Sequence, residues 1–99
     1  MYRGTTPTLN FILPFAVNTI EAGYISLVQN RETVIEKSIS ECELEEKTIR
    51  LKLSQADTLQ LDDHTATEIQ LRIRLTDGTA LASKIFTVST DRILRDGVI

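Results

Sequence analysis

Two segments in the second half of the chain alternate between apolar and polar residues almost without a break. The first runs over residues 48–54 and the second over residues 67–76. A period of two residues is typical of a β-strand with one buried side and one solvent-facing side. On these strands we expect the core to receive Ile49, Leu51, Leu53, Ile69, Leu71, Ile73 and Leu75.

Shorter segments elsewhere in the chain alternate in the same way or are rich in β-branched and aromatic residues. Together they predict about seven strands, at residues 8–13, 24–29, 34–40, 41–44, 48–54, 68–75 and 80–89. Pro14 ends the first strand because proline cannot donate a hydrogen bond to a ladder. The further residues that we expect in the core are Leu9, Phe11, Leu13, Leu27 and Phe86.

Local signals predict how these strands are joined. Residues 18–21 and 54–57 have the spacing of helix N-terminal caps, and each predicts one short helical turn. The Asp-Gly pair at 77–78 supplies the positive φ angles of a tight hairpin turn between the last two strands. The apolar positions of the last strand change parity near residues 83–84, which predicts a β-bulge there.

Seven short strands with turns every 8–12 residues or so favour an all-β fold. We predict an immunoglobulin-like antiparallel β-sandwich of about seven strands with one or two short helical turns, in a single domain over residues 1–99. "Immunoglobulin-like" refers to the architecture alone, because the chain has no tryptophan and a single cysteine. A small, partly closed barrel of the same strands is the alternative.

The charge balance argues against one broad class of function. The chain has 11 Lys and Arg against 14 Asp and Glu, with a net charge of −3 and a pI near 5.1. A general nucleic-acid binder is normally basic, so we expect no nucleic-acid partner. No apolar run approaches the roughly 18–20 residues that span a bilayer, so we expect no membrane partner.

Cys42 has no second cysteine to pair with, which fits a reducing compartment.

Few residues are candidates for catalysis or metal binding. His64 follows Asp62 and Asp63, but a zinc site needs three or four ligands at defined spacing, and a solvated turn is favoured here. Cys42 lies among glutamates, which disfavour its reactive thiolate. The glutamate-rich stretch 32–46 lacks the ligand pattern of a calcium loop and is typical of a charged strand edge. We therefore predict no enzymatic activity, no cofactor and no metal site.

The polar faces of the two best strands carry cations. Arg50 and Lys52 belong to the first strand, and Arg72 and Arg74 to the second. If both strands lie in one sheet, the four side chains form a basic patch that would dock on the acidic stretch 32–46 of a second copy. An ordinary charged surface that keeps the strands soluble is the favoured interpretation of the same pattern.

Apolar residues also continue beyond the last predicted strand. Segment 91–99 contains Ile93, Leu94, Val98 and Ile99. Such a segment either folds back over the core or meets a partner, and folding back is favoured. The candidate partner-binding residues are Arg50, Lys52, Arg72, Arg74, Ile93 and Leu94.

The chain also carries a resemblance to known proteins. Its opening, Tyr-Arg-Gly-Thr-Thr-Pro-Thr at residues 2–8, precedes a strand that ends Leu-Pro-Phe at 13–15. After the Asp-Gly turn come Leu-Ala-Ser at 81–83 and Thr-Val-Ser at 87–89. This order resembles small uncharacterised proteins encoded in prophages of Gram-positive gut bacteria. The opening is also loosely similar to the N-terminal β-domain of baseplate upper proteins.

The resemblance implies a non-enzymatic structural or accessory protein of a phage, such as a tail or baseplate assembly module that acts by protein–protein association. It also implies expression in the bacterial cytoplasm and a place in the virion. The expected partners are further copies of the chain, in a homo-oligomer, or another virion protein. The alternative function is a carbohydrate- or cell-surface-binding module. Such modules use exposed aromatic residues, and Tyr2, Phe15 and Tyr24 are the aromatic residues outside the expected core.

Overall fold

Two antiparallel sheets contain all of the strands in the computed structural model, which describes residues 1–99. The strands are β1 Thr8–Ile12, β2 Ile20–Gln29, β3 Glu32–Ser38, β4 Glu43–Glu45, β5 Thr48–Lys52, β6 Thr67–Leu75, β7 Ala80–Ala82 and β8 Phe86–Val88. One helix, α1 Gln55–Leu59, and two 3₁₀ turns, Val17–Thr19 and Ile39–Glu41, lie between strands.

The strand order explains how the two sheets form a sandwich. The first sheet has the order β1-β5-β4, and the second has the order β3-β2-β6 with β7 and β8 following each other along the free side of β6. The prediction of an all-β sandwich is confirmed, and β7 and β8 together occupy the last of the seven predicted strands. The partly closed barrel is excluded because no strand of one sheet pairs with a strand of the other.

The core lies between the sheets and draws on both of them. Twelve buried apolar residues form one cluster. Those predicted from the sequence are Leu27, Ile49, Leu51, Leu53, Ile69, Leu71 and Ile73, and those missed are Val17, Ile25, Ile35, Ile39 and Leu61. The predicted core residues that are only half-buried against the cluster are Leu9, Phe11, Leu13 and Leu75.

Phe86 is the one predicted core residue that lies at the surface. Its strand position is as expected, since Phe86 pairs with the buried Ile69 and therefore points to the inner face of its sheet. Its side chain is nevertheless 50% exposed. The first sheet has only three strands, so no strand of that sheet lies over the outer edge of the second.

The predicted bulge is confirmed and separates β7 from β8. Arg72 pairs with Ala82 and Ile69 with Phe86, so the register between β6 and its neighbour changes by one residue. At the break the backbone N–H of Ser83 donates to the carbonyl of Leu71 at 2.8 Å. The N–H of Leu71 donates to Ser83 Oγ at 3.0 Å, so a side chain replaces the missing ladder acceptor.

The two predicted caps have different outcomes. Ser54 caps α1 as expected: its Oγ accepts from the N–H of Asp57 at 3.0 Å, and its own N–H donates to Asp57 Oδ2 at 2.9 Å. The cap predicted at 18–21 is wrong, since the turn occupies Val17–Thr19 and has no side-chain cap. β2 then begins at Ile20 and runs through Gly23, with a shift in its register to β6 between Ile20 and Ala22.

A capping box that the sequence analysis missed ends β3 early. Ser38 Oγ accepts from Ser40 N–H at 3.3 Å, and the N–H of Ser38 donates to Glu41 Oε2 at 2.9 Å. The Ser-x-x-Glu spacing at 38–41 was the available signal. The resulting turn, Ile39–Glu41, buries Ile39 and takes the chain from the second sheet to β4 in the first.

Three non-glycine residues have left-handed backbone angles, and all of them lie in tight turns. Asn30 and Arg31, with φ of 51° and 63°, form the two-residue turn between Gln29 and Glu32. Positive φ at both central positions is the geometry of a type I′ hairpin, which matches the twist of the strands. Glu46, with φ of 52°, occupies the turn between β4 and β5.

A buried polar cluster holds the end of β2 to two neighbouring segments. The Gln29 side-chain amide donates to the carbonyls of Asp62 and Thr65 at 2.8 and 3.0 Å, and its Oε1 accepts from the N–H of Asp62 at 2.9 Å. It also reaches the hydroxyls of Thr67 and Thr90, which lie 2.7 Å apart. Because buried polar groups are costly unless paired, this cluster fixes the 62–65 loop and the start of the C-terminal segment.

Candidate functional site

An apolar cleft opens along one side of the sandwich, between the outermost strands of the two sheets. It has a volume of about 370 Å³ and lies between β1 on one wall and β8 with the neighbouring part of β6 on the other. The apolar side chains along it include Leu9, Phe11, Leu13, Ile69, Leu71, Phe86 and Val88. We call this the open side of the molecule.

The β1 edge of the open side has unpaired backbone groups. The N–H of Leu13 donates to the carbonyl of Lys47 at 2.8 Å, and that of Leu53 donates to the carbonyl of Pro7 at 2.9 Å. In an antiparallel pair, alternate residues direct their N–H and C=O to the partner strand. The odd-numbered residues of β1 therefore bond to β5, and Thr8, Asn10 and Ile12 direct both groups away from the sheet.

The second edge of the open side is formed by β7 and β8. Leu75 N–H donates to the carbonyl of Thr79 at 2.8 Å, so by the same alternation Ala80 and Ala82 direct their backbone groups outward. Leu81 pairs with Ile73 and shares the inner face with Phe86. These two side chains are 39% and 50% exposed, because the facing sheet does not reach over them.

Charge is distributed unevenly among the four sheet edges. The opposite side of the sandwich has acidic edges, with Glu32 and Glu36 on β3 and Glu43 and Glu45 on β4. β1, β7 and β8 contain no charged residue at all. Proteins usually protect exposed edges against unwanted pairing with charged residues. The strands along the cleft lack that protection, and the one charged residue among them is Lys84, in the bulge between β7 and β8.

The four predicted cations do not lie together. Arg50 and Lys52 are on β5 in the first sheet, whereas Arg72 and Arg74 are on β6 in the second. The apolar residues that alternate with each pair face the shared core, so the two pairs lie on opposite faces of the sandwich. The prediction of one basic patch is therefore wrong, because its condition, two strands in one sheet, is not met.

Two of these cations are already paired within the chain. Arg50 Nη1 lies 2.8 Å from Glu45 Oε2, and this hydrogen bond and charge raise the pKa of Arg50. Arg74 Nε lies 3.6 Å from Glu21 Oε2. The acidic stretch that was expected to attract a second copy thus supplies Glu45 to the neighbouring strand of the same molecule.

The C-terminal segment folds back, as favoured from the sequence, but leaves most of its apolar side chains exposed. Asp91 forms a parallel bridge with Tyr2, and the backbone of Ile99 bonds to the side chain of Gln55 at 2.8 and 3.1 Å. Ile93 is half-buried. Leu94 is 92% exposed, so the two tail residues predicted to bind a partner have different environments.

The aromatic residues outside the expected core do not form a shared platform. Phe15 packs against the core cluster. Tyr24 lies on the outer face of β2, across from Arg72, and Tyr2 lies beside Asp91 near the chain's N-terminus. Both tyrosines are exposed, each on a separate element.

The Asp62-Asp63-His64 loop is a local ion cluster. His64 Nδ1 lies 2.9 Å from a carboxylate oxygen of each aspartate. The hydrogen bond with Asp62 and the charge of Asp63 raise the pKa of His64 above its ordinary 6.5. The N–H of His64 and its ring lower the pKa of Asp62. The three potential ligand atoms lie within 4.8 Å of one another, but His64 Nδ1 is already bonded to the carboxylates.

Cys42 has the environment of a structural thiol. Burial, followed by the charge of Glu41, raises the pKa of Cys42 above its ordinary 9.0. Its Sγ lies 3.6 Å from the carbonyl of Ser38, to which the thiol donates. The predicted effect of nearby carboxylates on Cys42 is confirmed, although burial is the larger cause.

The sequence analysis missed the open side, although two signals for it were present. Residues 8–12 and 86–88 both lack charge, whereas the strands at 32–38 and 43–45 contain it. Charge per strand can be counted in a sequence. Which strands form the edges of a sheet depends on the pairing order, which alternation alone does not give.

Comparison with known proteins finds no matching family model, no matching curated protein and no matching solved structure. None of the helices is both long enough and apolar enough to cross a membrane.

Proposed function

We propose that this protein is a non-enzymatic assembly module that binds another protein chain along its open side. The observation that carries the proposal is the contrast between edge strands: β3 and β4 contain glutamates, whereas β1, β7 and β8, which flank the apolar cleft, contain no charged residue. An unpaired, uncharged strand edge is a template for pairing with another chain.

The side chains of the open side support a protein partner. Phe86 exposes apolar surface beside the half-buried Leu9 and Phe11, and Leu81 does so farther along, beside the half-buried Leu13. Contiguous exposed apolar surface next to polar groups marks interaction sites in folded proteins. Main-chain hydrogen bonds to the edges would give the partner its direction, and the cleft would receive its apolar side chains.

The setting that we propose follows the resemblance to prophage proteins, which rests on the opening of the chain and on residues 81–83 and 87–89. In it the protein is a structural or accessory component of a phage particle, of the tail or baseplate, and acts by association rather than catalysis. The absence of charge on the binding edges suits an assembly contact, in which buried apolar area supplies affinity and charge mostly sets orientation.

The test uses phage particles induced from a host that carries the gene. Mass spectrometry of purified particles should detect the chain, and Phe86→Asp should remove it from them by placing a charge in the cleft. Leu44→Asp is the matched control, because Leu44 is an exposed apolar residue on the acidic β4 edge. Absence of the native chain from particles, or equal incorporation of Phe86→Asp, would contradict the proposal.

A further inference from the structure

We infer that the open side receives a single extended segment of another protein. This segment pairs with β1 and alternates apolar residues, which enter the cleft, with acidic residues, which lie on the outer face of the enlarged sheet. The inference rests on the proposed function and names the chemistry of the partner.

The two sheets differ in width by one strand, and they differ at the open side. The first sheet is three strands wide, whereas the second has a fourth position, which β7 and β8 share beside β6. Side chains from both faces of β1 line the cleft, so the cleft runs along the free edge of β1 and not only beneath it. A strand added to β1 at the usual spacing of about 4.8 Å would therefore lie over the exposed side chain of Phe86.

The open side has room for a strand, but not for a strand with a second sheet beneath it. The free N–H and C=O groups of Thr8, Asn10 and Ile12 offer the added strand its hydrogen bonds. Packed sheets lie about 10 Å apart, so a second sheet on the cleft side would need the place that β7 and β8 already occupy. An extended segment has no second layer, and its inward side chains would pack on Phe86 and Val88.

The first sheet has cations beside the free edge of β1. Lys52 pairs with Thr8 and Arg50 with Asn10, so both cations lie on the outer face, one strand from the edge. Thr8 and Asn10 are short, so the longer cationic side chains can reach across them to the carboxylates of an added strand. Arg50 is already bonded to Glu45 on β4, whereas Lys52 takes part in no ion pair.

The second sheet adds one more cation beside the cleft. Lys84 follows Ser83 of the cleft lining, and it also takes part in no ion pair. Residues 80–88 contain no carboxylate, and Glu68 of β6 pairs with Thr87 on the face that alternates away from the cleft. Charge complementarity therefore favours acidic residues on the segment that enters. Two copies joined at this side would instead bring like charges together, which disfavours self-association here.

The first experiment uses a fluorescently labelled peptide, Glu-Val-Glu-Val-Glu-Val-Glu with blocked ends, and measures its anisotropy as native protein is added. We expect this acidic peptide to bind. The peptide with lysine in place of every glutamate should bind about tenfold more weakly, because its charges oppose the cations beside the cleft. A peptide of the same composition as the acidic one, but with its valines in one block, should not bind because its apolar side chains do not share one face.

Variants with matched controls locate the contact. Asn10→Pro should abolish binding, because proline removes the outward N–H at the middle of β1 but is tolerated on an edge strand. Asn10→Ala keeps that N–H and should bind as the native protein does. Lys52→Glu/Lys84→Glu should reverse the preference between the acidic and lysine peptides. Arg72→Glu/Arg74→Glu, the same change of net charge on the outer face of β6, should leave the preference unchanged. Thermal unfolding of each variant checks that it is folded.

The second experiment measures amide hydrogen exchange of the native protein with and without the acidic peptide. Protection should rise most at the outward N–H groups of Thr8, Asn10 and Ile12. The N–H groups of Leu9 and Phe11 should change less, because they are already bonded to β5.

No binding of the acidic peptide, equal binding of the acidic and lysine peptides, or binding that survives Asn10→Pro would overturn the inference. Binding of the fatty acid laurate in the cleft, without binding of the acidic peptide, would assign the cleft to an amphiphile instead. A chain that binds no peptide but still depends on Phe86 for entry into particles would overturn the inference and leave the proposed function intact.

Discussion

At the scale of single residues, Gly23 is the position with the least tolerance for change. It lies on the inner face of β2 opposite Ile73. A Cβ at Gly23 would come within 2.7 Å of Ile39 Cγ1, 2.8 Å of Ile73 Cγ2 and 3.0 Å of the backbone oxygen of Arg72. The sequence predicted a short helical turn at residues 18–21, just before this glycine. In the structure this glycine instead lies within a strand and permits the side chains of Ile39 and Ile73 to approach its backbone closely.

We expect Gly23→Ala to destabilise the fold by about 1–3 kcal/mol, the usual cost of overpacking a filled core. Denaturant unfolding measures the change. The control is a double-mutant cycle with Ile39→Ala, which removes the nearest contact atom, so the added methyl group should cost less in that background. An equal cost in both backgrounds would show that backbone effects, and not the contact with Ile39, decide the result.

His64 provides a residue-scale test of electrostatics. Its pKa is raised by Asp62 and then by Asp63, so the folded state binds the proton more tightly than the unfolded chain does. Its stabilising contribution is therefore complete below the ordinary pKa of 6.5 and is lost as the pH rises through the raised folded value. An NMR titration should give a His64 pKa above 6.5, and Asp62→Asn should lower it. Asp57→Asn, in α1, is the control and should leave the titration unchanged.

At the scale of elements, the alternating strands were predictable because their pattern states directly which side chains face inward. β5 and β6 supply five of the buried core residues, and all five were expected. The bulge was predictable for the same reason, as a change of parity. What alternation does not encode is how many strands the facing sheet has. Phe86 was therefore placed on the correct face but wrongly expected to be covered, and the open side went unrecognised.

The short turns were less predictable than the strands. Residues 18–21, 38–41 and 54–57 all have capping spacing, yet only the last two use it. A capping box contributes only about 1 kcal/mol, so tertiary packing decides whether it forms. At 18–21 the chain instead extends into β2, where Ile25 and Leu27 gain full burial.

The central strand β6 gives the corresponding prediction for an element. Leu71 is buried at the middle of β6. Leu71→Ala should cost roughly 2–5 kcal/mol, because it removes a fully buried side chain and leaves a cavity. The matched control is Leu44→Ala on the short edge strand β4, where the side chain is exposed and a change within about 0.5 kcal/mol is expected. Similar losses from both variants in thermal or chemical unfolding would contradict the assigned core.

At the scale of the whole molecule, the C-terminal segment divides into a part that belongs to the fold and a part that does not. Thr90 joins the Gln29 cluster, and Asp91 N–H donates to the carbonyl of Met1 at 2.7 Å. None of the twelve core residues lies beyond Ile73. Beyond Asp91 the segment makes few contacts with the rest of the chain. Arg3 and Asp96 form an exposed ion pair, the backbone of Ile99 hydrogen-bonds to the side chain of Gln55, and Ile93 is half-buried.

We therefore expect a chain that ends at Asp91 to keep its fold with little loss of stability. A chain that ends at Ser89 should lose a further 1–3 kcal/mol or so, because it leaves the hydroxyl of Thr67 without the Thr90 partner in a buried cluster. Denaturant unfolding of the two shortened chains measures the difference. Equal stabilities would mean that Thr90 and Asp91 contribute nothing, and a large loss in both would place residues 92–99 within the cooperative unit.

The left-handed turn residues point to an evolutionary property of this molecule. At Arg31 and Glu46 the backbone adopts angles that glycine or asparagine takes more readily, yet this chain has long charged side chains there. Natural proteins are kept only as stable as their function requires, so a substitution that relieves the backbone at such a position can raise the free energy of unfolding. A lineage that changed either residue to glycine would gain tolerance for destabilising substitutions elsewhere, including those that adapt a binding edge to a new partner.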